Sequence, residues 1–130
     1  IGHVHLCGVT QAPFLEMKRA KIFVLSSFYE GFPNVLCEAM HAGLPCISTN
    51  CECGPTELIE NGKNGFLVEI GAVDAMAEKI RVLIENEKLR EILGKEAQKT
   101  TQRLEMRAIC SKWRETVYHV CGEKRYNKRD

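Results

Sequence analysis

The chain has 130 residues, enough for one domain with a hydrophobic core. Apolar side chains make up 45% and charged ones 27%, while the formal net charge is only +1. That balance is ordinary for a globular protein and excludes the strong field of a nucleic-acid-binding surface, and no run is long enough for a transmembrane helix.

Taken in order, Val4-His5-Leu6 reads as a short strand between Gly2 and Gly8, with no signal peptide expected before it. Phe14 to Ala20 reads as a short helix after Pro13, and Lys21 to Leu25 as a strand buried on both faces. Ser26 to Pro33 is a loop ending in a proline suited to a helix start. Asn34 to His41 then reads as a helix stopped by Gly43. Pro45 to Ser48 is another buried strand, Thr56 to Glu60 a short helix after Gly54-Pro55, and Asn61 to Gly65 a turn-rich loop. Phe66 to Glu69 is a further strand. Three helical patterns follow: Val73, Met76, Ala77, Ile80, Leu83 and Ile84; then Leu89, Ile92 and Leu93; then Met106, Cys110, Trp113 and Val117. Trp113 is expected in the core, and the four histidines, His41 included, at the surface. Residues 122–130 form a polar, basic-leaning tail, read as a solvated terminus, with a membrane-surface contact as the weaker reading.

Short buried strands alternating with helices predict an α/β fold with a partial Rossmann-like parallel sheet and flanking helices. The single domain, 1–130, divides into a sheet core over about 3–70, helices over about 72–121 and the tail. Seven cysteines, an odd number, lie in unlike contexts and read as reduced thiols of a cytoplasmic protein, most of them packing residues. Cys51-Glu52-Cys53 is the one close pair, and it lacks a second pair to complete a zinc site.

In a parallel sheet of this kind, ligands sit at the carboxyl ends of strands, against helix N-termini. The loop from Glu30 to Asn34 occupies such a place. The first N–H groups of the following helix, from about Asn34, Val35 and Leu36, have no intrahelical partner, and the helix dipole favours an anion there, such as a diphosphate. Gly31 removes a side chain where a ligand approaches the backbone. Glu38, one turn inside the helix, offers acceptors to a ribose diol, and Glu30 offers them to a sugar hydroxyl. On spacing alone the plainer reading prevails, with Glu30 as a cap on backbone groups and Glu38 as an exposed helix acid.

The segment Ser26-Ser27-Phe28-Tyr29-Glu30-Gly31-Phe32-Pro33-Asn34-Val35-Leu36-Cys37-Glu38-Ala39-Met40-His41-Ala42-Gly43-Leu44-Pro45 resembles the signature of the retaining glycosyltransferases of family 4, which have the GT-B fold. Two glutamates stand with seven residues between them, followed by Ala-Met, Ala-Gly and a proline-led strand. The resemblance continues through Gly54-Pro55-Thr56-Glu57, Asn64-Gly65-Phe66-Leu67-Val68 and the helix from Ala72 to Glu85, and it includes Val4 to Gly8. Cys37 stands where the family usually has leucine, and Cys46 where it has valine.

The resemblance implies the C-terminal, nucleotide-sugar-binding domain of a GT-B enzyme. It implies that Glu38 binds the donor's ribose and that Glu30 holds the transferred sugar near the reacting carbon. The stretch Gly31, Phe32, Pro33 and Asn34 is assigned to sugar hydroxyls through its backbone N–H groups, and the N–H groups of Val35 and Leu36 to the diphosphate. Stabilising that leaving group is transition-state electrostatics. No cofactor and no metal is expected: the only aspartates are Asp74 and Asp130, so no Asp-x-Asp motif exists. Expected partners are a nucleotide-sugar donor, with UDP favoured, and a glycan or lipid-linked acceptor, with no nucleic acid. The Gly54-Pro55 pair resembles transferases that build surface or lipid-linked glycans, which implies a galactose-type or N-acetylhexosamine donor. Cys53 to Glu57 is assigned a further helix start that shapes the donor site.

The family's domain has two βα units before the strand matching Val4 to Leu6, and the first carries an Arg and a Lys that neutralise the diphosphate. No counterpart of that pair is expected between Ile1 and Ala20. The N-terminal acceptor-binding domain of the same protein is a further expected partner, and peripheral contact with the inner face of a membrane fits the full-length protein. By the family's strand order, 3-2-1-4-5-6, this chain holds strands 3, 4, 5 and 6. The strand at Lys21 to Leu25 is then an unpaired edge, and the 130-residue chain alone is expected to be inactive and marginally stable. Three alternatives stay open: a non-catalytic nucleotide-binding module, a GT-B nucleotide-sugar epimerase, and a thiol or metal protein built on Cys51 and Cys53.

Overall fold

The computed structural model describes residues 3–103 and 106–121. Its elements run α1 (Pro13–Arg19), β1 (Phe23–Leu25), α2 (Asn34–His41), β2 (Cys46–Thr49), α3 (Pro55–Leu58), β3 (Phe66–Val68), α4 (Val73–Glu85), α5 (Glu87–Gln102) and α6 (Met106–Cys121). The tail over 122–130 lies outside the described residues. No described helix is long and apolar enough to cross a membrane.

The three strands pair in parallel in the order β1-β2-β3. Phe23 faces Cys46 and Leu25 faces Ser48, while Ile47 faces Phe66 and Thr49 faces Val68. All four residues of β2 are buried, as a strand covered on both faces requires. Alternation along β2 divides the core. Cys46 joins Leu36, Ala39, Met40, Met17 and Ala97 on one face, and Ile47 joins Val68, Leu83 and Leu93 on the other. Helix α5 serves both faces, with Leu93 in one cluster and Ala97 in the other.

Local chemistry sets the helix ends. Helix α2 closes in a complete Schellman motif: Leu44 N–H donates to Ala39 O and Gly43 N–H to Met40 O, with Gly43 at φ +81°. Both Ala39 and Leu44 are in the core, which supplies the motif's apolar contact. Asn86 caps α5 by accepting the Leu89 N–H at 2.9 Å. Arg90 donates to the carbonyl oxygens of Leu83 and Ile84, which the end of α4 leaves without helical partners. Buried Asn64 ties the loop before β3 to α5: it accepts from Glu60 N–H and donates to Leu58 O and Thr100 Oγ1.

Three expectations are corrected. Strand β1 is not buried on both faces: Phe23 and Leu25 are half-buried and Val24 is exposed, since the described residues leave one of its edges and one of its faces without full cover. Val4-His5-Leu6 forms no strand, and Val4 and Leu6 are exposed. A strand exists through its ladder of hydrogen bonds. The strand order implied by the resemblance puts two other strands between this segment and β1, one of them its only neighbour, and the described residues supply neither. The sheet therefore has three strands rather than four, with β1 at an edge as expected. Trp113 is 66% exposed rather than in the core. The helical pattern through Trp113 and Val117 is present in α6, yet among the described side chains, 109–120, none belongs to either buried cluster. Helical spacing shows that a face is apolar, not that the fold covers it.

Gly94 has a sharper role than its helical position suggests. A Cβ there would lie 2.2 Å from the carbonyl oxygen of Gly43, at the turn leading into β2. Replacing an interior helical glycine with alanine ordinarily stabilises by about 1 kcal/mol. Here Gly94→Ala forces two backbones apart and should instead destabilise by about 1–3 kcal/mol, read as a lowered urea midpoint. A raised midpoint would contradict the close packing of α5 on that turn.

Candidate functional site

The loop between β1 and α2 lies at the carboxyl end of the sheet, beside the end of β2. Two hydroxyls organise its first half. Thr49, buried at the last position of β2, donates from Oγ1 to the carbonyl oxygen of Ser27. Ser27 Oγ in turn donates to Glu30 Oε1 at 2.6 Å. Glu30 is half-buried, and its other oxygen has no protein hydrogen bond among the described residues.

The second half of the loop is shaped by proline. Pro33, fully buried, has φ −80° and ψ 84°, near the inverse γ-turn. Accordingly Asn34 N–H donates to Phe32 O at 3.0 Å, and Leu36 N–H to Pro33 O at 3.0 Å. This revises the donors available to a ligand. Asn34 and Leu36 are satisfied by the chain itself, and proline has no N–H to give. The N–H groups of Gly31, Phe32 and Val35 have no protein acceptor among the described residues. Gly31 has open space around its Cβ direction, so its lack of a side chain leaves room for a ligand rather than serving internal packing.

The loop is backed by the start of α3. Gly54 has φ +81° and ψ −71°, which excludes other residues on steric grounds. A Cβ on Gly54 would stand 2.0 Å from Gly31 O and 2.5 Å from Pro33 Cδ. Helix α3 is a single turn whose first residue, Pro55, is buried. The start of α3 thus packs against the Gly31–Pro33 turn, where Pro55 has no N–H and the Glu57 N–H is held by Gly54 O.

Glu38 is exposed on α2, and its carboxylate makes no hydrogen bond or ion pair among the described residues. Asn34 and Val35 are also exposed, Phe32 is half-exposed, and Leu36 is fully buried in the core. The Glu30–Glu38 stretch thus presents two carboxylates and one free helical N–H, at Val35, from one loop and the helix that follows it. Burial, then the neighbouring Glu38 carboxylate, push the half-buried Cys37 thiol above its usual pKa. His41 is exposed and turned toward α1, its ring 6.1 Å from that of Phe14. A hollow of about 240 Å³, lined by Ser26, Phe28, Thr49, Glu69, Ala72 and Met76, opens at the same end of the sheet. Nothing in the sequence pattern pointed to it, because it depends on where α4 begins relative to β1.

The thiol alternative meets a geometric obstacle. Cys51 is buried and Cys53 exposed, so the pair divides between core and surface. Among the described residues no three His, Cys, Asp or Glu side chains group as metal ligands. Burial pushes the Cys46 thiol up to about 12 from an ordinary 9.0. The folded form therefore keeps this thiol neutral while the unfolded chain ionises it, so its stabilising contribution is full below about pH 9 and is lost as pH rises toward about 12. The urea midpoint should fall over that window. Cys46→Val should flatten the fall, and an unchanged pH dependence would contradict the buried neutral thiol.

Three comparisons place this geometry among known proteins. The model of the family described as glycosyl transferases group 1 matches residues 3–100. The exopolysaccharide phosphotransferase of Streptomyces coelicolor is 35% identical over 122 residues, which are 93% of this chain and 13% of that protein. The lipopolysaccharide 1,6-galactosyltransferase of Salmonella typhimurium is 40% identical over 72 residues, 55% of this chain and 20% of that one. A Staphylococcus aureus structure of TarM with fondaparinux, alpha-GlcNAc-glycerol and UDP superposes with a TM-score of 0.79 at 31% identity, covering 85% of this chain and 23% of that chain. The sheet and its helices are thus those of the C-terminal domain of a GT-B glycosyltransferase. The chain spans less than a quarter of each of these relatives.

Proposed function

This chain belongs to the glycosyl transferases group 1, and from that premise we propose that it is the donor-binding part of a retaining, family-4-type enzyme. Such an enzyme moves a hexose or N-acetylhexosamine from a UDP-sugar to a glycan or lipid-linked acceptor. The observation that carries the reading is the joint placement of Glu30, the free Val35 N–H and Glu38 around one loop at the carboxyl end of a parallel sheet. The UDP in the similar Staphylococcus aureus structure supports the choice of nucleotide.

In this reading the exposed Glu38 carboxylate accepts both ribose hydroxyls, a task for a pair of acceptors with no competing cation. Glu30 stands at the transferred sugar, where its open oxygen orients a hydroxyl and its charge favours the positive character that develops at the reacting carbon. Gly31 and Phe32 N–H groups take sugar hydroxyls. As the bond between that carbon and the phosphate oxygen breaks, negative charge gathers on the departing diphosphate. Val35 N–H and the positive end of α2 face that charge. Leu36 contributes through the helix it anchors rather than through its own N–H, which Pro33 holds. No step calls for a metal.

The remaining parts fall to the rest of the full-length protein. These are the basic pair that neutralises the diphosphate and the domain that receives the acceptor, in a cytoplasmic enzyme in peripheral contact with the membrane.

In the full-length protein, Glu38→Ala should raise the donor KM by about 10- to 100-fold, the scale of hydrogen bonds to a charged group, with kcat nearly kept. Glu30→Ala should chiefly lower kcat. Unchanged kinetics in both variants would remove these assignments. UDP should raise the melting temperature of the same protein and GDP should not, and the reverse pattern would overturn the donor class.

A further inference from the structure

We propose that Ser27 is a positioning residue that aims the Glu30 carboxylate at the donor sugar, with Thr49 fixing Ser27 in turn. The inference rests on the placement of Glu30 at the transferred sugar proposed above. It adds two residues outside the Glu30–Glu38 stretch.

The geometry is a relay from the buried central strand to the loop that carries Glu30. Thr49 closes the central strand, is 4% exposed and sits between the two neighbouring strands of the sheet. Its hydroxyl donates to Ser27 O, a contact spanning 22 positions in the chain. That bond holds the Ser27 backbone against the sheet after β1 has ended. The Ser27 hydroxyl then donates to Glu30 Oε1 at 2.6 Å, in the range of a hydrogen bond to a charged acceptor. A glutamate on a loop otherwise keeps considerable rotamer freedom, and ordering it at the moment of reaction adds to the barrier. With Oε1 held, Oε2 points in one direction and stays open to a substrate hydroxyl.

Two features argue that the relay serves the site rather than the fold. Glu30 is bound through one oxygen only and lies in no ion pair among the described residues, so its charge is not consumed by a structural partner. The other end of the loop is already fixed by the close packing of Gly54 on the Gly31 carbonyl and the Pro33 ring. The loop's path is therefore held without the Ser27 hydroxyl, and the hydroxyl is left to set the direction of one side chain.

The test uses the full-length enzyme, with turnover read as UDP released from a panel of UDP-hexoses and UDP-N-acetylhexosamines, and with UDP affinity measured by calorimetry. Ser27→Ala should lower kcat by about 10- to 100-fold while UDP affinity stays within about twofold of wild type. Ser27→Thr, which keeps the hydroxyl, should recover most of the rate. Thr49→Val should act in the same direction, and its effect should shrink when Ser27 is already alanine, as expected of groups in one network. A Ser27→Ala enzyme with wild-type kcat overturns the proposal. So does a loss of UDP affinity that matches the loss of rate, since that marks a general support of the fold. Glu30→Gln measured in parallel separates the two levels. If it turns over normally, the reading of Glu30 falls and this inference with it. If it is slow while Ser27→Ala is not, only the relay is wrong.

Discussion

The burial of β2 on both faces is the constraint from which the rest of the structure follows. A four-residue strand with every side chain enclosed needs a strand on each edge and helices above and below. Cys46 and Ile47 point into separate cores, and α5 reaches both. The close approach of Gly94 to Gly43 brings that helix against the turn entering β2. At the other end of the strand, Thr49 reaches out of the core to the loop that carries Glu30. Strand β2 is thus the common reference for the packing at one end and for the candidate site at the other.

The site is organised before any ligand arrives. The turn at Pro33 and the contact with Gly54 set the course of the loop, and the Ser27 hydroxyl sets the direction of one carboxylate. Glu38 and Val35 N–H are left unengaged by protein among the described residues, at positions where a diphosphate and a diol are chemically suited to bind. Preorganisation of this kind favours charge stabilisation in the transition state, because donors already aimed need no reordering as the bond breaks.

Much of this was legible in the sequence because it is local. The run Lys21 to Leu25, the Gly43 stop and the Pro45-led strand are each decided within a few residues; α2 appears at its expected bounds, and β1 and β2 with ends shifted by one or two positions. The signature from Ser26 to Pro45 pointed to a GT-B glycosyltransferase, and the match to glycosyl transferases group 1 over residues 3–100 bears out that coarser reading. What the sequence did not convey depends on partners distant in the chain. The Thr49–Ser27 bond spans 22 positions, and the need for glycine at position 54 comes from the carbonyl of Gly31. Val4 to Leu6 has the composition of a strand without a neighbour to pair with, and Trp113 lies on an apolar stripe that the described residues do not cover. Which N–H groups stay open has a local reason that periodicity does not carry: the γ-like turn at Pro33 engages Asn34 and Leu36 and leaves Val35.

The central claim is that one loop, between β1 and α2, receives the whole donor head. The most direct measurement is a crystal structure of the full-length protein with an unreactive UDP-hexose analogue. The account predicts the ribose hydroxyls on the Glu38 carboxylate, a diphosphate oxygen on Val35 N–H, and the hexose against Glu30 with the Ser27 bond intact. A nucleotide bound away from the start of α2, or a hexose that leaves Glu30 without contact, would contradict it.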